Sequence, residues 1–451
     1  MQKNEIYEAA VTGMTAEGSG VCRVEGIAVF VPQTAVGDVL RVRIVKVLKH
    51  HAFGIIEELL VPAPSRTEAD CPVFRQCGGC VYRHMTYEAE LAVKAQLVED
   101  AFRRIGGLSP EFEPILAADS RCGYRNKAQY PVAEQDGQLV CGFYARHSHR
   151  VIPHTACALQ PEIFTQILET LLPLLTRAGV QAYDERTHTG ELRHLYLRRG
   201  YHSGQIMLCF VTRCSIRRKL SAPIEALRAQ FPEIVSVMES VNPERTNVIL
   251  GRHCTCLAGA ERIEDTMCGI PVTLSPQSFY QVHTQQAERL YGIAEGYAAL
   301  TGQEVLLDLY CGAGTIGLSM AHRTRRLIGA EIVPEAVENA RENARCSGIT
   351  NAQFLCGDAG EVAGQLADEA LHPDVIVLDP PRKGCSPDTI AACLAMHPQR
   401  IVMISCNPAT AARDAAAFAA QGYPVQKVRA ADLFPGTAHV ECVVLMSKDK
   451  D

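Results

Sequence analysis

Residues 304–321 read EVLLDLYCGAGTIGLSMA, and this stretch decides the fold. An apolar run, Val305 to Leu309, leads into Gly312, Gly314 and Gly317, and a helix begins among the glycines. A buried strand, a glycine-rich turn and a helix in that order form the opening unit of a doubly wound α/β sheet. Working outward, RLIGAEIVPEAVENARENA (326–344) supplies a second strand ending near Glu331 and then a helix. FLCGDA (354–359) and DVIVLDPPRKG (374–384) supply further strand ends. The repetition predicts an open, mainly parallel sheet whose ligand lies beyond the carboxyl ends of the strands. Glu331 falls about one βα unit after the glycines, where an acidic side chain can hold both ribose hydroxyls of an adenosine-containing cofactor.

The chain around this unit has 451 residues, which at roughly 100–200 residues per domain means two or three domains. With 47% hydrophobic and 21% charged residues it has the composition of a globular protein. The formal net charge of −6 excludes a uniformly basic nucleic-acid coat and leaves room for a local basic surface. MQKNEIYEAA carries no export signal, and no membrane run is needed, so a cytoplasmic location is expected. In a reducing compartment most of the 19 cysteines are expected as buried thiols, and tight clusters become candidates for chemistry.

Ahead of the sheet, Val21 to Val24, Ile27 to Val31 and Val39 to Val47 alternate with glycine turns and predict a small OB-like β-barrel of five strands. Pro62-Ala63-Pro64-Ser65 marks a boundary, which divides the chain into 1–62, 63–270 and 271–451. CPVFRQCGGCVYRH (71–84) brings Cys71, Cys77 and Cys80 close together, with glycines that let the backbone curl around one centre. A usual iron–sulfur or zinc site needs four ligands, so a distant residue must complete it. Cys157 in HTACALQP is the preferred fourth ligand, with Cys122 and Cys141 open beside it.

Leu91 to Phe102 has helical character, stopped by Gly106-Gly107. Residues 121–150 predict two strands turning at Asp136-Gly137. Between 121 and 160 five Lys/Arg stand against two Asp/Glu, interleaved with Tyr124, Tyr130, Phe143 and Tyr144, a surface able to meet phosphates and stack bases or simply to face water. Arg198-Arg199 and Arg217-Arg218-Lys219 are read as solvent-facing runs.

The later strand ends carry the reactive groups. In IVMISCNPATAARD (401–414) the strand Ile401 to Ile404 places Cys406 at the ligand-bearing end, either as a reactive thiol or as a buried inert one. FPGTAHVECVVLM (434–446) places Glu441 as a carboxylate able to accept a proton, with His439 as an alternative base. Asp379-Pro380-Pro381-Arg382 resembles the strand end of methyltransferases that act on planar nitrogen or carbon centres, and it fits a hydride-transfer site poorly.

In the order CPVFRQCGGC, SFYQVH, LDLYCGAGTIG, LDPPRKG, ISCNPAT and FPGTAHVE, the chain resembles the RNA uracil-5-methyltransferase family, in its 23S rRNA branch with a TRAM domain and an iron–sulfur cluster. The resemblance spans nearly the whole chain. It implies an α/β fold with a C-terminal Rossmann-like domain dependent on S-adenosylmethionine, an N-terminal TRAM barrel and a central α+β iron–sulfur domain. It implies Cys406 as nucleophile, Glu441 as general base, and Cys71, Cys77, Cys80 and Cys157 as ligands of a [4Fe–4S] cluster. Gln281, Tyr310, Gly312, Gly314, Glu331, Asp358 and Asp379 are implied as the S-adenosylmethionine set. The implied substrate is a uridine of 23S rRNA, with tRNA uridine methylation or a non-enzymatic RNA-binding assembly role as alternatives. No obligate protein partner is expected. His283 and Gly436 depart from the family pattern, which more often has asparagine and histidine there.

Overall fold

The computed structural model describes residues 1–448, which fall into two compact units. The first comprises Met1–Asp119, Pro381–Gly384 and Ile404–Met446; the second is built mainly from Ser120–Pro380 and Cys385–Met403. Among the described residues no helix is long and apolar enough to cross a membrane.

In the first unit the N-terminal strands form a small closed barrel in the order Ile6–Ala10, Val39–Val47, His51–Val61, Ile27–Pro32, Ser19–Val24, Gly13–Met14. Alternating residues turn inward, so Val29, Val31, Leu40, Val42, Ile44 and Ala52 are fully buried. Six strands stand where five were expected, because Gly13–Met14 is too short to leave a period-two pattern in the sequence. His51–Val61 stops at the residue before Pro62.

Helix Tyr87–Arg104 begins four residues before the apolar pattern, at the N-cap Thr86, whose side chain accepts from the Ala89 amide. Its buried face carries Glu90 and Lys94, polar residues that mask the helical period. Lys94 Nζ donates to Glu90 Oε1 at 2.8 Å, to Asp432 Oδ1 at 2.7 Å and to the Phe434 carbonyl at 3.2 Å. Tyr87 donates to the other oxygen of Asp432 at 2.9 Å, and the Gly436 amide donates to Glu90 at 2.6 Å. This buried network fixes segment 432–436, from which the chain enters strand Glu441–Ser447. That strand runs antiparallel to Val425–Ala431, which in turn pairs in parallel with Glu111–Leu116.

The second unit holds a seven-stranded mixed sheet and, beyond it, the doubly wound part. Lys127–Gln135 and Gln138–Tyr144 form the expected hairpin through Asp136 and Gly137, both at positive φ as the favoured two-residue turn requires. Helices Glu162–Arg177 and Arg217–Gln230 supply much of the core over this sheet. Arg198 does not face water: it is 1% exposed and donates to the carbonyls of Ser275 at 2.7 Å and Ser278 at 2.6 Å. Ala352–Cys356, Arg326–Glu331, Val305–Leu309, Val375–Leu378 and the strand from Arg400 lie side by side in that order, all parallel. Winding reverses at Val305–Leu309, which opens a ligand crevice at the carboxyl ends of the central strands.

Replacing Lys94 with Ala leaves Glu90 and Asp432 buried without their cation. We expect a loss of about 3–5 kcal/mol in urea unfolding of the full chain; an unchanged midpoint contradicts the weight given to this network.

Candidate active site

In the second unit the carboxyl ends of the central strands lie side by side at the winding reversal, where a doubly wound sheet takes its ligand. Tyr310 follows strand Val305–Leu309 with φ +64°, a strained conformation for a bulky side chain, and its hydroxyl lies 3.3 Å from Thr389 Oγ1. Burial pushes its phenol well above the usual range. Gly312 has φ +55°, and a Cβ there would meet nothing within 4 Å, so its backbone borders open space. Its amide donates to Glu331 Oε2 at 3.0 Å, while Glu331 Oε1 accepts from the Val333 amide at 2.9 Å. Each carboxylate oxygen keeps further acceptor capacity for a ligand. Gly314 serves packing instead, since a Cβ there would press on Phe354 and Ala340 at 3.0–3.1 Å.

Acids crowd this crevice. Asp379, at the end of Val375–Leu378, has its pKa pushed up to about 7 by burial. Asp308, an acid inside an apolar strand, is fully buried. Its Oδ2 accepts from the Gly317 amide at 2.9 Å, and its Oδ1 is buried without a hydrogen-bond partner. Burial raises Asp308 to about 7, the charges of Asp379 and Glu331 add to the rise, and the Gly317 amide opposes it. A lone charged residue in an apolar run was the available signal. Asp358 is exposed and caps helix Ala359–Asp368, accepting from the Gly360 amide at 2.9 Å. Its charge contributes to the rise at Tyr310, so the two share a neighbourhood. Gln281 is half-buried on a segment held from elsewhere. Asn126 donates to the Gln281 carbonyl at 2.8 Å and to Thr284 Oγ1 at 2.9 Å, and His283 stacks on Tyr124 at 4.6 Å. His283 thus has a packing role where the family pattern more often shows asparagine.

The first unit carries Cys406 and Glu441. Cys406 is half-buried on the bend between strand Arg400–Ser405 and helix Pro408–Ala419. Asn407 caps that helix, accepting from the Ala409 amide, and Pro408 opens it. Asn407 Nδ2 also donates to the Arg382 carbonyl at 2.9 Å, and Arg413 donates to the Lys383 carbonyl at 2.9 Å, which secures segment 381–384 beside the cysteine bend. Glu441 opens its strand and is 7% exposed. The next residue, Cys442, is fully buried; burial holds its proton, and the charges of Glu441 and Cys406 strengthen that hold. Cys406 and Glu441 therefore share one neighbourhood. His439 is exposed, edge-on to Phe434 with ring centroids 5.9 Å apart, and 3.4 Å from the Arg382 guanidinium.

A family model described as tRNA (Uracil-5-)-methyltransferase matches residues 270–449, and one for the TRAM domain matches residues 2–56. An uncharacterized RNA methyltransferase of Bacillus cereus is 41% identical over 449 residues, 99% of this chain and 98% of the relative. Another from Halalkalibacterium halodurans is 40% identical over 447 residues, with 99% and 98% covered. The chain belongs to the RNA uracil-5-methyltransferase family. Its fold is shared by the Pyrococcus abyssi tRNA (uracil-54, C5)-methyltransferase solved with S-adenosyl-L-homocysteine, at a TM-score of 0.77, 24% identity, and 98% and 100% of the two chains covered.

Within this methyltransferase the thiols expected to bind iron are divided between the two units. Cys71, Cys77 and Cys80 lie half-buried along a run of tight turns in the first unit, and the Gly79 amide donates to Cys77 Sγ at 3.4 Å. Cys157 is half-buried in the second unit. Among the described residues no group of three or more His, Cys, Asp or Glu is arranged to hold a metal ion, so the [4Fe–4S] expectation is not supported. Cys141, an open alternative, is a core thiol pushed up to about 12 by burial. Gly436, the other departure, has φ +81°, and a Cβ there would press on Arg83 Cγ at 3.3 Å. Histidine at this backbone position would be strained.

The two raised carboxyls carry a pH signature. Asp308 is protonated in the fold below about pH 7 and ionised in the unfolded chain above about pH 4, so its stabilising contribution is lost as pH rises through 7. Asp308→Asn is therefore expected to raise the thermal midpoint at pH 8 and to change it little at pH 4. A variant that melts lower at both values contradicts this assignment.

Proposed function

We propose that this enzyme transfers a methyl group from S-adenosylmethionine to C5 of a uridine in 23S rRNA. The carrying observation is that strands Arg400–Ser405 and Glu441–Ser447 are neighbours in one sheet, with Cys406 just after the first and Glu441 opening the second. Charge supports the cofactor: S-adenosylmethionine bears a sulfonium and an ammonium, and Asp308, Glu331 and Asp379 crowd the crevice. Exposed Ile332, beside Glu331, offers an apolar face to adenine, and Gly312 allows close backbone approach. Gln281, Tyr310, Gly314 and Asp358 complete the proposed set.

Bound cofactor supplies an electrophilic methyl carbon. Uracil C5 is a poor nucleophile until a group adds at C6. The Cys406 thiolate forms a bond to C6, and the displaced electron pair makes C5 enolate-like and able to take the methyl as its bond to the sulfonium sulfur breaks, leaving a neutral thioether. Glu441 then removes the C5 proton; the electron pair restores the C5–C6 double bond, and the C6–sulfur bond breaks to return the thiolate. A base within a helical stack must be extruded to reach these groups. Every step is redox-neutral and none requires an iron–sulfur cluster. The boundaries 1–62, 63–270 and 271–451 serve here as proposed functional divisions.

A tRNA uridine is the second reading, favoured by the match of residues 270–449 to the tRNA (Uracil-5-)-methyltransferase family. The full chain, methyl-labelled cofactor and unmodified 23S rRNA, 16S rRNA and tRNA separate the two when the label is located by nucleoside mass spectrometry. We expect 5-methyluridine in 23S rRNA, its formation reduced by at least about 10³-fold in Cys406→Ala and by about 10²–10⁴-fold in Glu441→Gln. Label in tRNA moves the substrate to the second reading. RNA binding without turnover contradicts the enzymatic assignment in favour of an assembly role.

A further inference from the structure

The turns that carry Cys71, Cys77 and Cys80 belong to a closed loop whose base bears on the segment ahead of Glu441. Arg83 donates from Nε and Nη2 to the two carboxylate oxygens of Asp70, so one bidentate ion pair shuts residues 70–83 into a ring. Asp70 faces solvent, whereas Arg83 is 3% exposed. The arginine is buried partly because its stem lies on Gly436, where a Cβ would meet Arg83 Cγ at 3.3 Å.

Both backbone groups of Gly436 are held. Its carbonyl accepts from the amides of Val81 at 2.8 Å and Tyr82 at 3.1 Å, and its own amide donates to Glu90 at 2.6 Å. The base of the loop is in turn fixed: Tyr82 is fully buried in a cluster with Ala35, Ala63 and Met85, and His84 Nε2 lies 3.0 Å from the Thr34 carbonyl. Beyond Gly436 the chain reaches Glu441 with little slack. Thr437 Oγ1 donates to the Phe434 carbonyl at 2.8 Å and accepts from the His439 amide at 3.3 Å, and Thr437, Val440 and Glu441 are all buried. A close-packed segment bonded in this way passes a shift at one end to the other.

We infer that Arg83 is a positioning residue for Glu441: by closing loop 70–83 against Gly436 it sets where the proposed base stands relative to uracil C5. The inference rests on the roles proposed for Cys406 and Glu441. In that mechanism only one step makes the demand. Addition of Cys406 to C6 and transfer of the methyl do not use Glu441, whereas removal of the C5 proton does, and proton transfer slows sharply when the base is displaced. Loss of Arg83 is therefore expected to stall the cycle after the covalent bond has formed. Gly436 suits the arrangement because a side chain there would press on the arginine stem.

The test uses the full chain, S-adenosylmethionine, and unmodified 23S rRNA and tRNA, each made with uridine or with 5-fluorouridine. We expect Arg83→Gln to slow 5-methyluridine formation about 10- to 100-fold, to form the Cys406 adduct with 5-fluorouridine RNA at the parent's rate, and to accumulate a methylated adduct on ordinary uridine. Arg83→Lys should recover part of the turnover, since it keeps the charge facing Asp70 and loses the fork. Asp70→Asn alters an exposed side chain and should show the same signature more weakly, which keeps the test in force if Arg83→Gln does not fold. Adduct formation and turnover that fall in parallel mark Arg83 as structural only, and unchanged turnover in both variants shows that the base does not depend on it; either result overturns the inference. Parent protein that forms no adduct with 5-fluorouridine RNA defeats the proposed function and this inference with it, whereas a parent adduct with parallel losses in the variants defeats this inference alone.

Discussion

Buried carboxylates cannot ionise together without a cation to face, and the carboxyl ends of the central parallel strands hold three acids in one another's field. Asp308 sits inside strand Val305–Leu309, Glu331 ends Arg326–Glu331, and Asp379 follows Val375–Leu378. The winding order makes this crowding unavoidable, because the strands that flank the reversal deliver their last residues to the same crevice. Burial pushes Asp308 and Asp379 up to about 7, the charges of Asp379 and Glu331 adding to the rise at Asp308, and Glu331 is held by two backbone amides. A crevice of this kind is matched to a cationic ligand, since the cation supplies the missing charge and drives the protons off.

The chemistry proposed for the first unit depends on a different kind of order. Under that proposal a nucleophilic cysteine and a proton-accepting glutamate must keep their positions through a covalent cycle. Cys406 gains this from a capped helix and from the backbone of Arg382 and Lys383, held by Asn407 and Arg413. Segment 432–436, upstream of Glu441, is tied to helix Tyr87–Arg104 through Lys94, Glu90 and Asp432, all without solvent exposure. Groups from residues 338 apart thus share one buried ion network, and the barrel-side half of the chain contributes to holding the segment that leads into the proposed base.

Local pattern made much of the fold legible. The strand–glycine–helix run at 304–321 and the positive-φ turn at Asp136-Gly137 announce themselves because each is decided by residues near in sequence. Lys94 and Arg198 were not legible as buried residues, since a charged side chain reads as solvent-facing until its distant partners are known. Asp308 escaped for the opposite reason: it lies in an apolar strand and its importance is electrostatic. Gly436 looked like a lost histidine and is a backbone solution, with φ +81° against Arg83. The cysteine spacing at 71–80 suggested a metal centre, and among the described residues nothing beyond that spacing supports it. The proposed catalytic residues came from motif order, which locates groups without measuring them, and the sheet order adds that the strands carrying them, Arg400–Ser405 and Glu441–Ser447, are neighbours.

The central claim is a covalent bond between Cys406 and uracil C6. It is tested most directly by incubating the full chain with S-adenosylmethionine and RNA in which 5-fluorouridine replaces uridine, so that C5 has no proton for Glu441 to remove. Denaturing electrophoresis and peptide mass spectrometry should then find an RNA adduct on the peptide containing Cys406, with the methyl group on the trapped base. Absence of any adduct under conditions where uridine is methylated, or an adduct on another cysteine, contradicts the account.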